Sequence, residues 1–507
     1  MTLLLSDIVE VSSRVAATRR RTEKIAALVD LFSRAGEADV PIMVAMLSGA
    51  ARQGKIGVGY RAVSSIRAEP AGTPTVTIVE VDQILTALKD RRGEGSQADR
   101  ESLLTDLFGR CTAPEQDFLK RLLVGGVRQG ALEGIMTDAV AAAAGVPAAA
   151  VRRALMMLPD LGRVATVALA GGAGDLAGIG LEVLRPIQPM LAKTAASATA
   201  AVQAEGLSSV EWKLDGVRIQ VHRAGSVVRI YTRNLNDVTE RLPDVADVVL
   251  GFGSEHFVLD GEVISLTAGN EPRAFVETMS RFGTEHRDGE EAPVVPFFFD
   301  VLHEGGQDLI DLPLSARQEV LDQVVPAAYR VTRVITDQED RAERTLVEAR
   351  AEGHEGIMVK RLDSSYEAGR RGATWLKVKP ANTLDLVVLA VEWGSGRRQG
   401  WLSNIHLGAR EAATGDFIML GKTFKGMTDE MLEWQTGRFL ELETHRDGHV
   451  VHVRPEQVVE IAFDGIQASS RYPGGMALRF ARVKSYRHDK AAREADTVDT
   501  VRAIFEK

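Results

Sequence analysis

Val210-Glu211-Trp212-Lys213-Leu214-Asp215-Gly216-Val217-Arg218-Ile219-Gln220-Val221-His222-Arg223 is the stretch from which the rest of the chain is read. Val217, Ile219 and Val221 alternate with polar residues, the period of a half-buried strand, and Gly216 permits a tight backbone turn. Lys213 therefore sits where a strand meets a turn, a place from which an amine can act as a nucleophile. A solvated strand lysine would look the same, and K-x-D-G alone recurs by chance. Its company separates the two readings. In order downstream stand Tyr231-Thr232-Arg233-Asn234, Val258-Leu259-Asp260-Gly261-Glu262, Phe297-Phe298-Phe299-Asp300, Glu355-Gly356-Ile357-Met358-Val359-Lys360, Trp375-Leu376-Lys377-Val378-Lys379 and Arg487-His488-Asp489-Lys490.

The pattern from Val210 to Pro380 is strands with intervening helices. Ala224-Gly225 divides two alternating runs and reads as a hairpin turn, with Lys213 one strand away from Arg229 to Asn234. Period two puts Trp375, Lys377 and Lys379 on one face of their strand and Leu376 and Val378 on the other. A core strand directs two ammonium groups to one side only where an anion waits, whereas a surface strand can do so toward solvent, and the other motifs favour the phosphate-site reading. Asp260 and Glu262 likewise share a face. Glu355 and Lys360 do not, so their strand starts at or after Gly356 and Glu355 is aimed from the preceding loop. In Phe297-Phe298-Phe299, alternation makes Phe298 the core residue and turns Phe299 to the other face.

This ordered series closely resembles the nucleotidyltransferase motifs of ATP-dependent DNA ligases. The resemblance implies a multidomain chain: an all-α DNA-binding domain over 1–183, an α+β adenylation domain over 184–383 and an OB-fold β-barrel over 384–507. It implies that Lys213 attacks ATP to form a lysyl-AMP, that AMP passes to the 5′-phosphate of a nick in duplex DNA, and that the 3′-hydroxyl displaces AMP. Glu211 would bind the adenine amino group and Phe299 would stack on the purine. Arg218 and Arg233 would hold the nucleotide or the DNA phosphate, Glu262 would lie near the ribose, and Arg371 belongs to the same nucleotide-binding set. The neighbouring cations Lys360, Lys377 and Lys379 would stabilise charge on the reacting phosphate and disfavour protonation of Lys213. Glu262 and Glu355 offer hard oxygen ligands for Mg²⁺, or Mn²⁺ in its place. Arg487 and Lys490 would orient the pyrophosphate leaving group, carried by a barrel that turns about a hinge at 380–385. Ala481 stands where the family usually has proline in Arg-Phe-Pro-Arg, which loosens that loop.

Composition sets the frame for this reading. A chain of 507 residues predicts about two to four domains, and 45% hydrophobic residues with a mean hydropathy of -0.05 predict a globular protein. No apolar run approaches the ~18 residues of a membrane span, and MTLLLSDIVEVSSRV lacks a basic leader with a sustained apolar stretch. The expectation is a cytoplasmic monomer. A single cysteine, Cys111, excludes an intrachain disulfide and a four-cysteine zinc module, and with it an NAD-dependent ligase. The net charge of -9 confines DNA binding to local basic surfaces.

The first ~180 residues read as helical. Ile25, Leu28, Val29 and Phe32 keep the helical spacing, as do Val151, Ala154, Leu155 and Leu158 behind Pro147, and Phe118, Leu119, Leu122 and Leu123 mark another helix. Arg19-Arg20-Arg21 and the Arg52–Arg61 segment RQGKIGVGYR carry the basic residues, with glycines that let backbone approach a phosphate. Together with PEQDFLKRLLVGGVRQGALEGI, they are similar to the helical DNA-binding domain of larger ligases. AGGAGDLAGIG, 170–180, reads as a linker, and its faint likeness to a dinucleotide loop is set aside because no strand-to-helix context follows. Arg185-Pro186-Ile187-Gln188-Pro189-Met190-Leu191-Ala192 resembles the opening of an adenylation domain.

Beyond Pro380 the chain is strand-rich. Gly415 to Thr423 mimics a phosphate loop but has five residues between its glycines, and FIML reads as strand. His445, His449 and His452 fit no common metal spacing. Within 469–490, Arg471, Arg479, Arg482, Lys484, Arg487 and Lys490 face only Asp489, a basic stretch in an acidic chain. Two rival readings remain for test: a GTP-using capping-type or RNA-ligase nucleotidyltransferase, and a non-catalytic DNA clamp.

Overall fold

A computed structural model of the chain describes residues 2–54, 56–91, 93, 96–127, 133–267, 272–273, 293–367, 371–379 and 382–506, with side chains described at 374–379 but not at 371–373. Its contacts divide into two compact units, Met1–Lys379 and Pro380–Lys507. Lys55, the glycine-containing stretch 128–132 and Pro380 at the expected hinge lie outside the described residues, as does the side chain of Arg371.

Helices fill the first 177 residues. Their ends follow from local chemistry. Thr77 and Glu80 cap the helix Ile78–Asp90 reciprocally, Thr77 N–H donating to Glu80 at 2.8 Å and Glu80 N–H to the threonine hydroxyl at 3.2 Å. Thr112 and Glu115 open Ala113–Leu123, with Pro114 in the first turn where its missing N–H costs nothing. Leu5, Ile8, Val11, Leu28, Phe32, Phe108 and Phe118 are buried in one continuous core. In the basic segment, Arg52 is tied to Asp82 and Gly54 and Gly57 adopt positive φ, 70° and 73°. The stretch expected to be a linker is helix: Leu161–Ala177 runs through it, broken only at Gly172, φ 67°. Val164, Ala165, Ala168 and Leu176 supply a packing face that outweighs the low helix propensity of glycine.

The sheet region that follows comprises β1 (Leu191–Thr194), β2 (Ser208–Lys213), β3 (Val217–Ala224), β4 (Val227–Thr232), β5 (His256–Ser265), β6 (Val294–Glu304), β7 (Gln307–Asp308), β8 (Arg333–Thr336), β9 (Gly356–Arg361) and β10 (Arg371–Val378). Among the described residues they form two sheets, ordered β1-β10-β9-β2-β8 and β4-β3-β5-β6-β7. The opening stretch is thus split. Lys213 ends a strand of the first sheet, Val217 begins a strand of the second, and Leu214 to Gly216 make the crossing, so Lys213 is not a sheet neighbour of β4. Gly216 is required by proximity: a Cβ there would stand 2.2 Å from the Val263 carbonyl oxygen and 2.9 Å from Glu262 Cγ.

The segment 184–190 is strapped along the second sheet by alternate residues of β3. His222 Nδ1 accepts from Leu184 N–H at 3.0 Å, Gln220 accepts from Ile187 N–H at 2.8 Å, and Arg218 donates to the Met190 carbonyl at 2.6 Å. Burial lowers His222 to about 3, which keeps the ring neutral and able to accept. Met156 and Met157 of the helix Ala148–Met157 pack with Met190, Val258, Tyr366 and Trp375, so the helical region contributes core directly behind the sheets.

The second unit is built on β11 (Asn382–Trp393), which pairs along one edge with β12 (Leu402–Arg410) and along the other with β15 (Val450–Val453) and β16 (Val458–Phe463). β13 (Phe417–Thr423), β14 (Glu443–Asp447) and β19 (Arg482–Arg487) complete a seven-stranded sheet among the described residues, and β17 (Gly465–Ala468) pairs with β18 (Met476–Arg479). Bulges in the β11–β12 and β12–β13 ladders bend it. FIML lies in β13, as strand. No helix among the described residues is long and apolar enough to cross a membrane.

Candidate active site

One cleft of about 410 Å³ opens on Lys213, and period two across three paired strands explains its floor. Ser209, Glu211 and Lys213 of β2 lie opposite Lys360, Met358 and Gly356 of β9, and Lys360 and Met358 in turn lie opposite Trp375 and Lys377 of β10. Alternate residues on neighbouring strands share a face, so these side chains meet on one side of the first sheet. Gly356 has no room for a side chain, since a Cβ would come within 2.2 Å of the Val378 carbonyl oxygen. The second sheet supplies Arg218, Glu262 and Phe299. Phe299 is the extra residue of a bulge, for Gly261 pairs with Phe298 and Asp260 with Asp300; the bulge turns Phe299 to the cleft while Phe298 stays fully buried.

At one end, the Lys213 ammonium pairs with Glu355 Oε2, and Lys379 Nζ lies 2.5 Å from the other oxygen, Oε1. Glu355 approaches from the residue before β9, and its N–H donates to the Lys213 carbonyl at 3.0 Å. Burial raises its pKa, but the two ammonium groups outweigh this and hold it below the ordinary carboxylate range. The nearest partner of Lys213 is therefore an anion, where the sequence reading emphasised neighbouring cations. Lys377 lines the cleft and Arg233 stands exposed at its rim. Glu262 lies beside Arg218 in register. Burial lifts its carboxyl to about 7, against the pull of Lys213 and Arg218 and with a further push from the Glu355 charge.

At the other end, Lys360 is almost wholly buried. Its Nζ lies 2.5 Å from Glu211 Oε2 and 4.2 Å from the centroids of both Phe299 and Trp375. These rings stand edge to face, 6.1 Å apart. Ser209, opposite Lys360, is four residues from Lys213 along β2, about 13 Å of strand. Lys360 thus belongs to an aromatic recess and not to the cations around Lys213.

Arg218 is held from behind. Asp260 accepts from it twice, at 3.0 and 2.6 Å, and Tyr366 donates to Asp260 at 2.7 Å and accepts from Met190 N–H at 3.0 Å. Burial opposes the Arg218 charge, yet Asp260 keeps it above the usual guanidinium range. Asp260 was visible in the sequence as the residue sharing Glu262's face; Tyr366 carried no signal.

Arg487 and Lys490 lie in the second unit and converge on Asp385 of β11. Lys490 Nζ is 2.6 Å and Arg487 Nη1 2.9 Å from Asp385 Oδ2. Arg487 also donates twice to Asp489, at 2.9 and 2.6 Å, holding that carboxyl at about 2. His445 and His452 stack on each other, centroids 4.3 Å apart.

The cleft thus carries a lysine paired to a carboxylate and flanked by cations at one end, and an aromatic recess at the other. The chain belongs to the ATP-dependent DNA ligases. The family described as ATP dependent DNA ligase domain matches residues 189–379, the DNA ligase C terminal region matches 398–490 and the DNA ligase N terminus matches 51–141. A probable DNA ligase of Mycobacterium sp. (strain KMS) is 54% identical over 99% of this chain and 100% of its own length. One from Nocardioides sp. is 53% identical over 99% of each. The solved structure Pmar-Lig_Pre shares the fold at 20% identity, with a TM-score of 0.62 over 95% of this chain and 99% of that one. These likenesses do not favour the capping-type or clamp readings.

Proposed function

We propose that the protein seals 5′-phosphate/3′-hydroxyl nicks in duplex DNA through a lysyl-AMP on Lys213. The observation that carries this reading is the single cleft in which Lys213 and its charged neighbours adjoin a recess of Phe299, Trp375, Glu211 and Lys360. The purine occupies the recess, with Phe299 as its stacking wall. Glu211 and Lys360 read its edge, which moves Lys360 from the phosphate to the base. The triphosphate then lies toward Lys213, Lys377, Lys379 and Arg233. Arg218, pre-aimed by Asp260 and Tyr366, holds nucleotide or DNA phosphate, and the likeness to the family adds Arg371, whose side chain lies outside the described residues, to the nucleotide-binding set.

Only a neutral amine attacks phosphorus, so the Lys213 ammonium must give up a proton to solvent and its pair with Glu355 must part as the reaction begins, while Lys379 keeps the carboxylate in place. The Nζ–P bond then forms as the bond from the α-phosphorus to pyrophosphate breaks, and the nitrogen releases a second proton to solvent. Arg487 and Lys490 serve that departure. In the following displacements AMP moves to the 5′-phosphate and leaves when the 3′-hydroxyl attacks.

Glu262 and Glu355 fit a divalent cation. Both are hard oxygen donors, their charges repel one another, and burial raises the Glu262 carboxyl to about 7 despite Lys213 and Arg218. Mg²⁺ bound by one or two carboxylates supplies charge neutralisation at the phosphates. We read 1–183 as a DNA-binding domain, 184–383 as the adenylation domain and 384–507 as an OB-fold barrel linked through 380–385, acting as a monomer on nicked DNA. Intact mass after incubation with ATP and Mg²⁺ tests the core claim: one AMP is added, and Lys213→Ala abolishes the addition. A full adduct on the alanine variant refutes the assignment.

A further inference from the structure

Ser209 and Gln318 are both buried, and both donate to the same oxygen of Glu211. Ser209 Oγ donates to Glu211 Oε1 at 3.0 Å; Gln318 Nε2 donates to Oε1 at 3.0 Å and to Ser209 Oγ at 2.9 Å. Gln318 belongs to the helix Leu314–Val324, outside the cleft lining. That helix is pinned at the preceding residue. Arg317, fully buried, donates twice to Asp300, at 2.8 and 2.9 Å, and to the carbonyls of Leu312 and Ser364 at 2.7 and 3.0 Å. The amide of Gln318 is therefore delivered to Glu211 from a fixed support.

A carboxylate has about four acceptor positions. Ser209 and Gln318 occupy those of Oε1, and Lys360 lies against Oε2. The acceptor position left over is on Oε2, beside the Lys360 ammonium, on a residue that lines the cleft. The floor of the recess thus presents one acceptor next to one donor. Adenine offers the complement, a 6-amino donor beside the N1 acceptor. Guanine reverses both, setting its O6 against the carboxylate and its N1–H against the ammonium, and each mismatch leaves a buried polar group unpaired.

We infer that Gln318 and Ser209 are positioning residues for base selection: by saturating Glu211 Oε1 they fix which carboxylate oxygen meets the base and so set the enzyme's preference for a 6-aminopurine. The inference rests on the assignment of Glu211 to the purine edge. Neither residue touches the nucleotide, and a packing role alone predicts a different result from the one expected here.

The test compares ATP with purine riboside 5′-triphosphate, which keeps N1 but lacks the 6-amino group, as substrates for self-adenylylation of the full chain. Gln318→Leu and the milder Ser209→Ala should each raise the KM for ATP roughly tenfold, the worth of a hydrogen bond to a charged group, and leave the KM for the purine analogue within about twofold. GTP use should rise relative to ATP. An equal loss with both nucleotides, or no loss with either, overturns the inference. Glu211→Gln separates this outcome from failure of the underlying assignment. If it too treats both nucleotides alike, the base-reading role of Glu211 falls; if it discriminates while the Gln318 and Ser209 variants do not, only their positioning role falls.

Discussion

Lys213 and Glu355 are joined twice, by the contact of the ammonium with Oε2 and by the Glu355 N–H donating to the Lys213 carbonyl at 3.0 Å. The backbone bond fixes the spacing of the two residues whether or not their side chains are paired. Glu355 can therefore release the amine without drifting from it.

Glu355→Gln keeps the shape and removes the charge shared by Lys213 and Lys379. Single-turnover transfer of AMP to the protein should slow roughly a hundredfold, the scale of losing one preorganised charged group. A wild-type rate in this variant would show that the carboxylate has no part in the step.

Glu262 gives the reaction a pH dependence. Its carboxyl is raised to about 7 from an ordinary 4.5, so it is protonated, and useless to a cation, below that value. Adenylylation should fall as pH drops through 7, and Glu262→Gln should lose the inflection along with most of the rate. Stability runs the other way. A raised acid favours the folded state at low pH and loses that contribution as pH rises from about 4.5 through 7. Metal-free Glu262→Gln should therefore melt above the parent protein at pH 8, with the gap closing by pH 4.5. A gap independent of pH would remove Glu262 as its source.

Met157 is fully buried in the cluster with Trp375 and Tyr366. Met157→Ala should cost roughly 2–5 kcal/mol in denaturant unfolding and weaken ATP binding by loosening the wall behind Trp375. Unchanged ATP affinity in a destabilised variant would separate this packing from the recess. The same cluster means that deleting the helical region wholesale exposes the back of the adenylation sheets, so salt-dependent nick binding is better probed with point substitutions such as Arg52→Ala.

Lys490 and Lys379 should differ by step. On the proposed role of Lys490, confined to the departure of pyrophosphate, Lys490→Ala should be slow to adenylylate itself yet close a nick that already carries 5′-AMP. Lys379→Ala should be impaired on both substrates. Equal damage to both variants on the pre-adenylylated nick, measured without ATP, would place Lys490 at every step. Asp385→Asn frees Lys490 from its carboxylate and should affect the first step alone.

Much of the cleft was legible because strands report themselves through period two. That rule put Trp375 with Lys377, sent Glu355 to the loop before Gly356 and chose Phe299 over Phe298. It placed a turn at Gly216, where the apolar phase slips from Val210, Trp212 and Leu214 to Val217, Ile219 and Val221, but not the passage to a second sheet, which only the close approach of Val263, Ile264 and Glu262 reveals. Gln318 and Tyr366 were invisible for another reason. Their partners lie 107 and 106 residues away, and a glutamine on a helix or a tyrosine in a loop carries no local mark of such a contact. The glycine-rich run at 170–180 misled because its composition is that of a linker, while the helix is held by residues that precede the run, Val164, Ala165 and Ala168, and within it by Leu176 alone.

Gly216 lets the main chain pass from one sheet to the other in three residues, with the nucleophile as the last residue on the near side. The cleft is consequently a seam between two walls, with Glu211 on one and Phe299 on the other. Lys213 is stitched at its end. On the proposed reading a base that bridges Glu211 and Phe299 spans both walls, so the seating of the base and the placing of the amine depend on the same three-residue crossing.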